Sequence, residues 1–342
     1  MVDWSLLVFA LVCAAAMTWV VRQIALRNRL LDIPVDRSAH RTPTPVGGGV
    51  AIVIPFYLMA GYYFGQGLIP PNEFIALLSG IAVAAVGLAD DVTQLSIRWR
   101  LPVQFAAAIW AVWWLGDVSV IPIIGWNLAF PPLLYILTVL ALVWLLNLYN
   151  FMDGIDGLAS TEASFVTLMT CLIVLNSSDQ VVTLLSALLC AATIGFLLWN
   201  WPPARIFLGD TGSSFLGYCL GLLALFSMQH GSMNLWAWLL LLGFFVVDAT
   251  YTLIQRIRDG RRWYVGHDTH AYQHAAKRFK SHRKVTLGIL LINLLWLAPL
   301  AWLANLFPPL GLLITVVGLA PLVFLVKYFG AGRPHSIDIE SA

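Results

Sequence analysis

The side chains able to do chemistry in this chain are few, and most of them are aspartates spaced in pairs. Asp90 and Asp91 are adjacent, Asp153 and Asp156 stand three apart in the run from Asn150 to Gly157, and Asp210 follows Gly209 in a Gly-Asp-Thr-Gly-Ser run. Neighbouring carboxylates repel, so Asp90 and Asp91 call for a raised proton affinity or a nearby cation, for which Arg98 and Arg100 are the closest candidates. On a helical turn Asp153 and Asp156 would share a face, and Gly154 and Gly157 beside them allow close approach of a ligand or another backbone. The competing structural reading is an N-capping cluster for the helix that follows. Asp210 and Thr211 are good caps too. A carboxylate beside free helix N–H groups is also how Mg²⁺ is shared between protein and phosphate, because that ion takes one or two carboxylates plus phosphate oxygens.

His267, His270 and His274 lie in a basic stretch between Arg256 and Arg278. Their spacing can align on a helix, which invites a zinc reading, but no Cys lies nearby and the surrounding positive charge disfavours a cation. A hydrogen-bonding, basic cradle for a diphosphate fits better. His40, His230, His282 and His335 carry no comparable constellation.

The elements that must position these groups follow from composition. Of 342 residues, 60% are apolar and 11% charged, against about 45–50% and 25% in soluble chains. A soluble core cannot hide that much apolar surface. Cys13, Cys171, Cys190 and Cys219 sit far apart inside apolar runs and read as small core residues, not a disulfide framework. Plentiful aromatics and a net charge of only +2 exclude disorder and nucleic-acid binding. The expected fold is all-α and polytopic. Apolar runs long enough to span a bilayer, about 17–25 residues each, occur at 4–25, 47–66, 73–90, 101–116, 131–149, 158–176, 181–199, 212–229, 235–254, 286–305 and 309–327, eleven in all. The stretch from Asp117 to Phe130, with Pro122, Gly125 and Trp126, is too broken to span and reads as an interfacial hairpin or loop.

With the N-terminus periplasmic and the C-terminus cytoplasmic, every Lys and Arg falls on the cytoplasmic side or at its boundary, as cytoplasmic loops require. These are Arg22, Arg27, Arg29, Arg37, Arg41, Arg98, Arg100, Arg205, Arg256, Arg258, Arg261, Arg262, Lys277, Arg278, Lys280, Arg283, Lys284, Lys327 and Arg333. No basic residue precedes the first apolar run and no small-residue cleavage site follows it, so a retained helix is expected there, not a signal peptide. Residues 1–342 form one integral membrane domain with cytoplasmic loops near 26–46, 91–100, 150–157, 200–211 and 255–285. All five aspartates then meet on one face.

Residues 32–278 resemble the polyprenyl-phosphate N-acetylhexosamine-1-phosphate transferases, polytopic phosphoglycosyl transferases of glycosyltransferase family 4. The resemblance rests on Asn150-Phe-Met-Asp153-Gly-Ile-Asp156-Gly, Gly209-Asp210-Thr211-Gly212-Ser213, Thr42-Pro-Thr-Pro-Val-Gly47-Gly48, Asp90-Asp91, Leu95-Ser-Ile-Arg98-Trp-Arg100 and the histidine loop. It implies transfer of N-acetylhexosamine-1-phosphate from a UDP-sugar to undecaprenyl phosphate, with release of UMP, in the bacterial inner membrane with the site facing the cytoplasm. It implies Mg²⁺, or Mn²⁺ in its place, held by Asp210 with Asn150 near the metal or diphosphate. Asp90 or Asp91 would orient or deprotonate the acceptor phosphate and Arg100 would hold it. Asp153, Asp156, His267, His270, Gln273 and His274 would bind substrate. The His270-Ala-Tyr-Gln-His274 string looks most like the branch that initiates lipopolysaccharide O-antigen, and a homodimer is compatible with the resemblance. Two rivals stand beside this reading: the peptidoglycan phospho-MurNAc-pentapeptide transferase, whose three consecutive histidines are replaced here, and a secondary transporter. A transporter binds near the bilayer midplane and often shows matching halves. Here the acids crowd one surface, with only Asp248 deeper in a helix.

Overall fold

The computed structural model describes residues 4–34, 42–116, 121–123, 126–128, 130–175, 177–261 and 267–334. Arg37, His40, Arg41, Asp117, Gly125, Arg262 and His335 lie outside the described residues. The chain is 79% helical. Helices α1 (Trp4–Arg27), α2 (Val50–Gly65), α3 (Pro71–Thr93) and α4 (Ile97–Leu115) are followed by α5 (Pro131–Phe151), α6 (Leu158–Val174), α7 (Gln180–Asn200) and α8 (Gly209–Gln229). Then come α9 (Leu235–Leu241), α10 (Gly243–Arg258), α11 (Ala271–Phe279), α12 (His282–Ile292), α13 (Ala298–Leu306) and α14 (Gly311–Tyr328). A π-helical turn, Asn293–Leu297, joins α12 to α13 in one apolar stretch, His282–Leu306. Two short antiparallel pairs complete the list: β1 (Leu31–Asp32) with β2 (Thr44–Pro45), and β3 (Ile121–Ile123) with β4 (Trp126–Leu128). The second pair gives the broken stretch after α4 its hairpin.

Each expected apolar run holds a helix, but the runs differ in length and continuity. Among the described residues seven helical stretches, with α12 and α13 counted as one, are long and apolar enough to cross a membrane, or eight if the α9–α10 pair is one span. The run at 235–254 is not continuous: it breaks at Leu242 and bends by 78°. Helices α2 and α6, at 16 and 17 residues, are shorter than the expected runs at 47–66 and 158–176. The connection expected at 91–100 shrinks to three residues, because α3 continues through Asp90 and Asp91 to Thr93 and α4 begins at Ile97.

Helix α8 is the axis of the bundle, buried along nearly its whole length between α3 and α5. Its neighbours reach it because they carry glycine where they cross. A Cβ on Gly87 of α3 would stand 2.5 Å from the Asp210 carbonyl oxygen, and one on Gly49, before α2, would stand 2.2 Å from the Gly212 nitrogen. Small residues at such crossings let backbones close on one another where lipid offers no hydrophobic drive. Helix α11 is the exception to the uniformly apolar pattern. It buries Ala271, Tyr272, His274, Ala275 and Ala276 and exposes Lys277 and Arg278. This is the division expected of a helix lying on a surface.

Candidate active site

At one end of the bundle a cleft of about 830 Å³ is walled by α3, α5, α8 and the connections β1, 152–157, 200–208 and 267–282. The start of α8 is its floor. The free N–H groups of a helix start need acceptors, and here two of them find one on a different helix. Asp91 of α3 takes the Asp210 N–H at 2.7 Å, the Thr211 N–H at 3.1 Å and the Thr211 hydroxyl at 2.6 Å. Gly209 makes this possible: its φ is +74° and an added Cβ would stand 2.5 Å from the Asp91 carboxylate. Asp210 and Thr211 are therefore the capped residues, not the caps.

Capping from α3 leaves the Asp210 carboxylate free to face the cleft. One oxygen accepts from Asn150 Nδ2 at 2.9 Å, and the same amide nitrogen reaches Ser213 Oγ at 2.9 Å. The other oxygen takes Arg100 Nη1 at 2.6 Å, and that nitrogen is also ion-paired with Asp90. Two carboxylates thus converge on one cationic nitrogen. The same pair suits a hard divalent cation, which needs only one or two protein carboxylates when phosphate and water supply the rest. Asp91 is taken up by the helix start and adds nothing to that set.

On the opposite wall the capping reading of Asp153 and Asp156 does not hold. They lie in a non-helical connection, α6 starts after Gly157, and no side chain caps it. Asp156 instead accepts from the Ala204 N–H at 3.0 Å and lies 3.3 Å from His282 Nδ1, fastening three segments together. Asp153 faces the cleft. Burial raises its carboxyl well above the usual carboxylate range, and Asp210, Asp91 and Asp156 add to the rise. Asn200 pins the same connection, accepting from Gly157 N–H at 3.1 Å and donating to the Ile206 carbonyl at 3.0 Å.

The histidine loop divides. Asp248, fully buried on α10, takes the Ala271 and Tyr272 N–H groups at 3.0 Å each and faces His270 Nδ1 at 3.3 Å, so it caps α11. His274 turns away to the Phe329 carbonyl at 2.8 Å. Among the described residues between Arg256 and Arg278, only His267 and Gln273 line the cleft. His267 stacks on His270 at 4.9 Å, and burial, with His270 and Arg256 adding, pushes its imidazole down to about 3, so it is neutral. Gln273 Oε1 accepts from the His270 N–H at 3.1 Å, which leaves its NH₂ group beside Gly154.

The glycosyl transferase family 4 profile matches residues 74–228, the segment that supplies the floor and both carboxylate walls. The chain is 31% identical over 296 residues to a probable undecaprenyl-phosphate N-acetylglucosaminyl 1-phosphate transferase of Bacillus subtilis, covering 84% of this chain and 81% of that protein. It belongs to the polyprenyl-phosphate N-acetylhexosamine-1-phosphate transferases. It is also 27% identical over 320 residues to a decaprenyl-phosphate N-acetylglucosaminephosphotransferase of Mycobacterium leprae, covering 80% and 77% of the two chains. A phospho-N-acetylmuramoyl-pentapeptide-transferase of Kosmotoga olearia is 30% identical over 234 residues, with 64% and 70% covered.

In this transferase the structure brings Asp90, Asp91, Asn150, Asp153, Asp156, Asp210, His267 and Gln273 to one cleft, with Arg100 bound to two of its carboxylates. It does not bring His270 or His274 there. Four polar cleft residues escaped the sequence reading: Asp32, Gln94, Asn200 and His282. Asp32 had a signal, an acid just after the first apolar run. His282 had none, since its partner Asp156 lies 126 residues away.

Proposed function

We propose that the transferase moves N-acetylhexosamine-1-phosphate from a UDP-sugar to undecaprenyl phosphate at the cytoplasmic face of the bacterial inner membrane, releasing UMP and starting a lipid-linked glycan such as O-antigen. An oxygen of the acceptor phosphate attacks the sugar-bearing phosphorus of the donor, and the bond to the UMP phosphate breaks. The observation that carries the reading is the convergence of Asp90 and Asp210 on a single cation position above a helix start. Six aspartates line the cleft. Two anionic substrates do not enter such a field unless positive charge comes with them. Mg²⁺, held by Asp210 and Asp90, would neutralise and polarise the diphosphate oxygens. Asn150 keeps the Asp210 carboxylate turned into the cleft, Asp91 keeps α8 in place beneath it, and Arg100, released from a carboxylate, has a guanidinium to offer a phosphate.

A lipid acceptor needs an apolar berth, and one exists. An apolar groove of about 480 Å³ lies between α5, α8 and the bend at Leu242. Helices α5 and α8 run from this groove to Asn150 and Asp210, so a prenyl chain lying along them would carry its phosphate toward the cleft.

The test is to incubate purified protein with Mg²⁺, undecaprenyl phosphate and a panel of UDP-sugars and to measure UMP. Release with a UDP-N-acetylhexosamine but not with UDP-MurNAc-pentapeptide is expected. Release with the pentapeptide donor alone would assign the protein to the peptidoglycan branch, and release with no donor would sink the proposal.

A further inference from the structure

Residues 277–284 read Lys-Arg-Phe-Lys-Ser-His-Arg-Lys, five basic side chains in eight positions with no acid among them. Two of these charges are occupied: Lys277 is paired with Asp268, and the Arg278 guanidinium lies 5.3 Å from the Tyr328 ring centre. Lys280, Arg283 and Lys284 are exposed, and their side chains have no hydrogen-bond or ion-pair partner among the described residues. A one-sided distribution of charge in a membrane protein accounts for basic residues here. It does not account for what lies beneath them.

Between α10, α11, α12 and α14 runs a crevice of about 170 Å³ in which Lys284 is the one charged wall residue. Phe279 and Lys284 stand at its basic end, and Ile292 lies about 12 Å further along α12. Gly288 is midway. Glycine inside a helix is unfavourable relative to alanine, and beyond its chain neighbours and its own helix backbone no protein atom lies within 4 Å of where its Cβ would stand. Helix packing therefore gives no reason for it, whereas an occupant of the crevice does. The crevice shares no wall residue with the aspartate cleft, and α11 separates the two.

We propose that this crevice binds an acyl chain of an anionic bilayer phospholipid whose phosphate is held by Lys280, Arg283 and Lys284. Charge complementarity selects this occupant. A zwitterionic phospholipid brings its own cation to the same place, and free phosphate has nothing to fill the apolar part. The inference is independent of the transfer reaction, because none of these residues lines the reacting cleft.

Purified full-length protein in detergent is titrated with phosphatidylglycerol, phosphatidylcholine, inorganic phosphate and undecaprenyl phosphate, and bound lipid is counted by native mass spectrometry. Phosphatidylglycerol should bind at least ~10-fold more tightly than phosphatidylcholine, as several anion-to-base contacts require. Replacing Lys280, Arg283 and Lys284 together by Gln should weaken it on the order of 100-fold at low salt, about fivefold per charge. Gly288→Leu should remove the site with every charge intact. If that variant does not fold, Ile292→Trp fills the same space. Equal binding of the two phospholipids, unchanged binding in the filled-crevice variant, displacement by inorganic phosphate, or binding of undecaprenyl phosphate alone would each overturn the proposal.

Discussion

At the scale of single residues, Asp91 and Asp210 touch the same helix start yet do different work, and the difference is measurable. Asp91 spends both oxygens on α8, so Asp91→Asn turns an N–H donor toward donors and should lower stability by about 1–2 kcal/mol, the cost of a lost cap. Asp210→Asn should leave the unfolding temperature unchanged or raised, since one of several crowded carboxylates is neutralised, while UMP release is abolished because a hard cation needs that charge. Near-normal turnover by Asp210→Asn would reduce the residue to a helix-start role. A second pair separates Gln273 from His270. Discrimination between sugars comes from contacts that differ between donors, and unpaired polar groups reject a wrong one most strongly. Gln273 presents its NH₂ group to the cleft, so Gln273→Ala should change the ratio of kcat/KM for two UDP-sugars by about tenfold. His270 is buried against Asp248, so His270→Ala should loosen α11 and lower both donors together. The aspartates were legible in the sequence because carboxylates beside membrane spans are costly and therefore rare. Which of them cap and which face the cleft was not legible: the acceptor for the start of α8 comes from a residue 119 positions away.

At the scale of elements, the apolar runs announced the helices, but a run reports composition and not continuity. Nothing in the unbroken apolar sequence around Leu242 and Gly243 separates a straight span from one bent by 78°. The far ends of the helices held a second hidden feature. His230, at the end of α8, bonds Asp179 at 3.0 Å through Nδ1 and Glu73 at 3.0 Å through Nε2, joining the starts of α3 and α7 to the end of α8. Both ring nitrogens must carry protons to serve two carboxylates, and those bonds, Asp179 first and Glu73 next, raise the imidazole to about 10. Its folded value lies above the unfolded value of about 6.5. The clamp's stabilisation is therefore complete below about 6.5 and is lost as pH rises through about 10. Thermal unfolding in detergent should show a midpoint that falls across that interval. His230→Gln should lower the neutral-pH stability by about 1–3 kcal/mol, the cost of leaving a buried partner unsatisfied, and flatten the alkaline decline. A wild-type midpoint independent of pH over this range would show that the three helix ends are held by packing alone.

At the scale of the whole molecule, the contacts give the one-sided charge pattern a physical form. Arg22 of α1 reaches the Arg205 carbonyl at 3.1 Å, Arg100 joins Asp90 to Asp210, and Arg261 reaches the Gly332 carbonyl at 3.1 Å. Basic residues from distant parts of the sequence are thereby chained to the end of the bundle that holds the cleft. The opposite end carries the His230 clamp, whose cation is an imidazole held between two acids. Because cytoplasmic loops hold the positive excess, the cleft end should face the cytoplasm. Inverting the molecule would put this whole set of Lys and Arg outside, so a mixed topology is not an intermediate option. The prediction can be read by chemical labelling in whole cells, using a chain whose native cysteines are replaced by Ala. Gly231→Cys, one residue past the clamp, should react with a membrane-impermeant maleimide added from outside. Lys280→Cys, exposed beyond α11, should react only after the membrane is permeabilised. Helix α8 is 21 residues long, about 31 Å from the cleft floor to the clamp, so the two positions cannot share a side. Labelling of Lys280→Cys from outside would place the aspartate cleft in the periplasm, and the proposed reaction at the cytoplasmic face would fall with the topology.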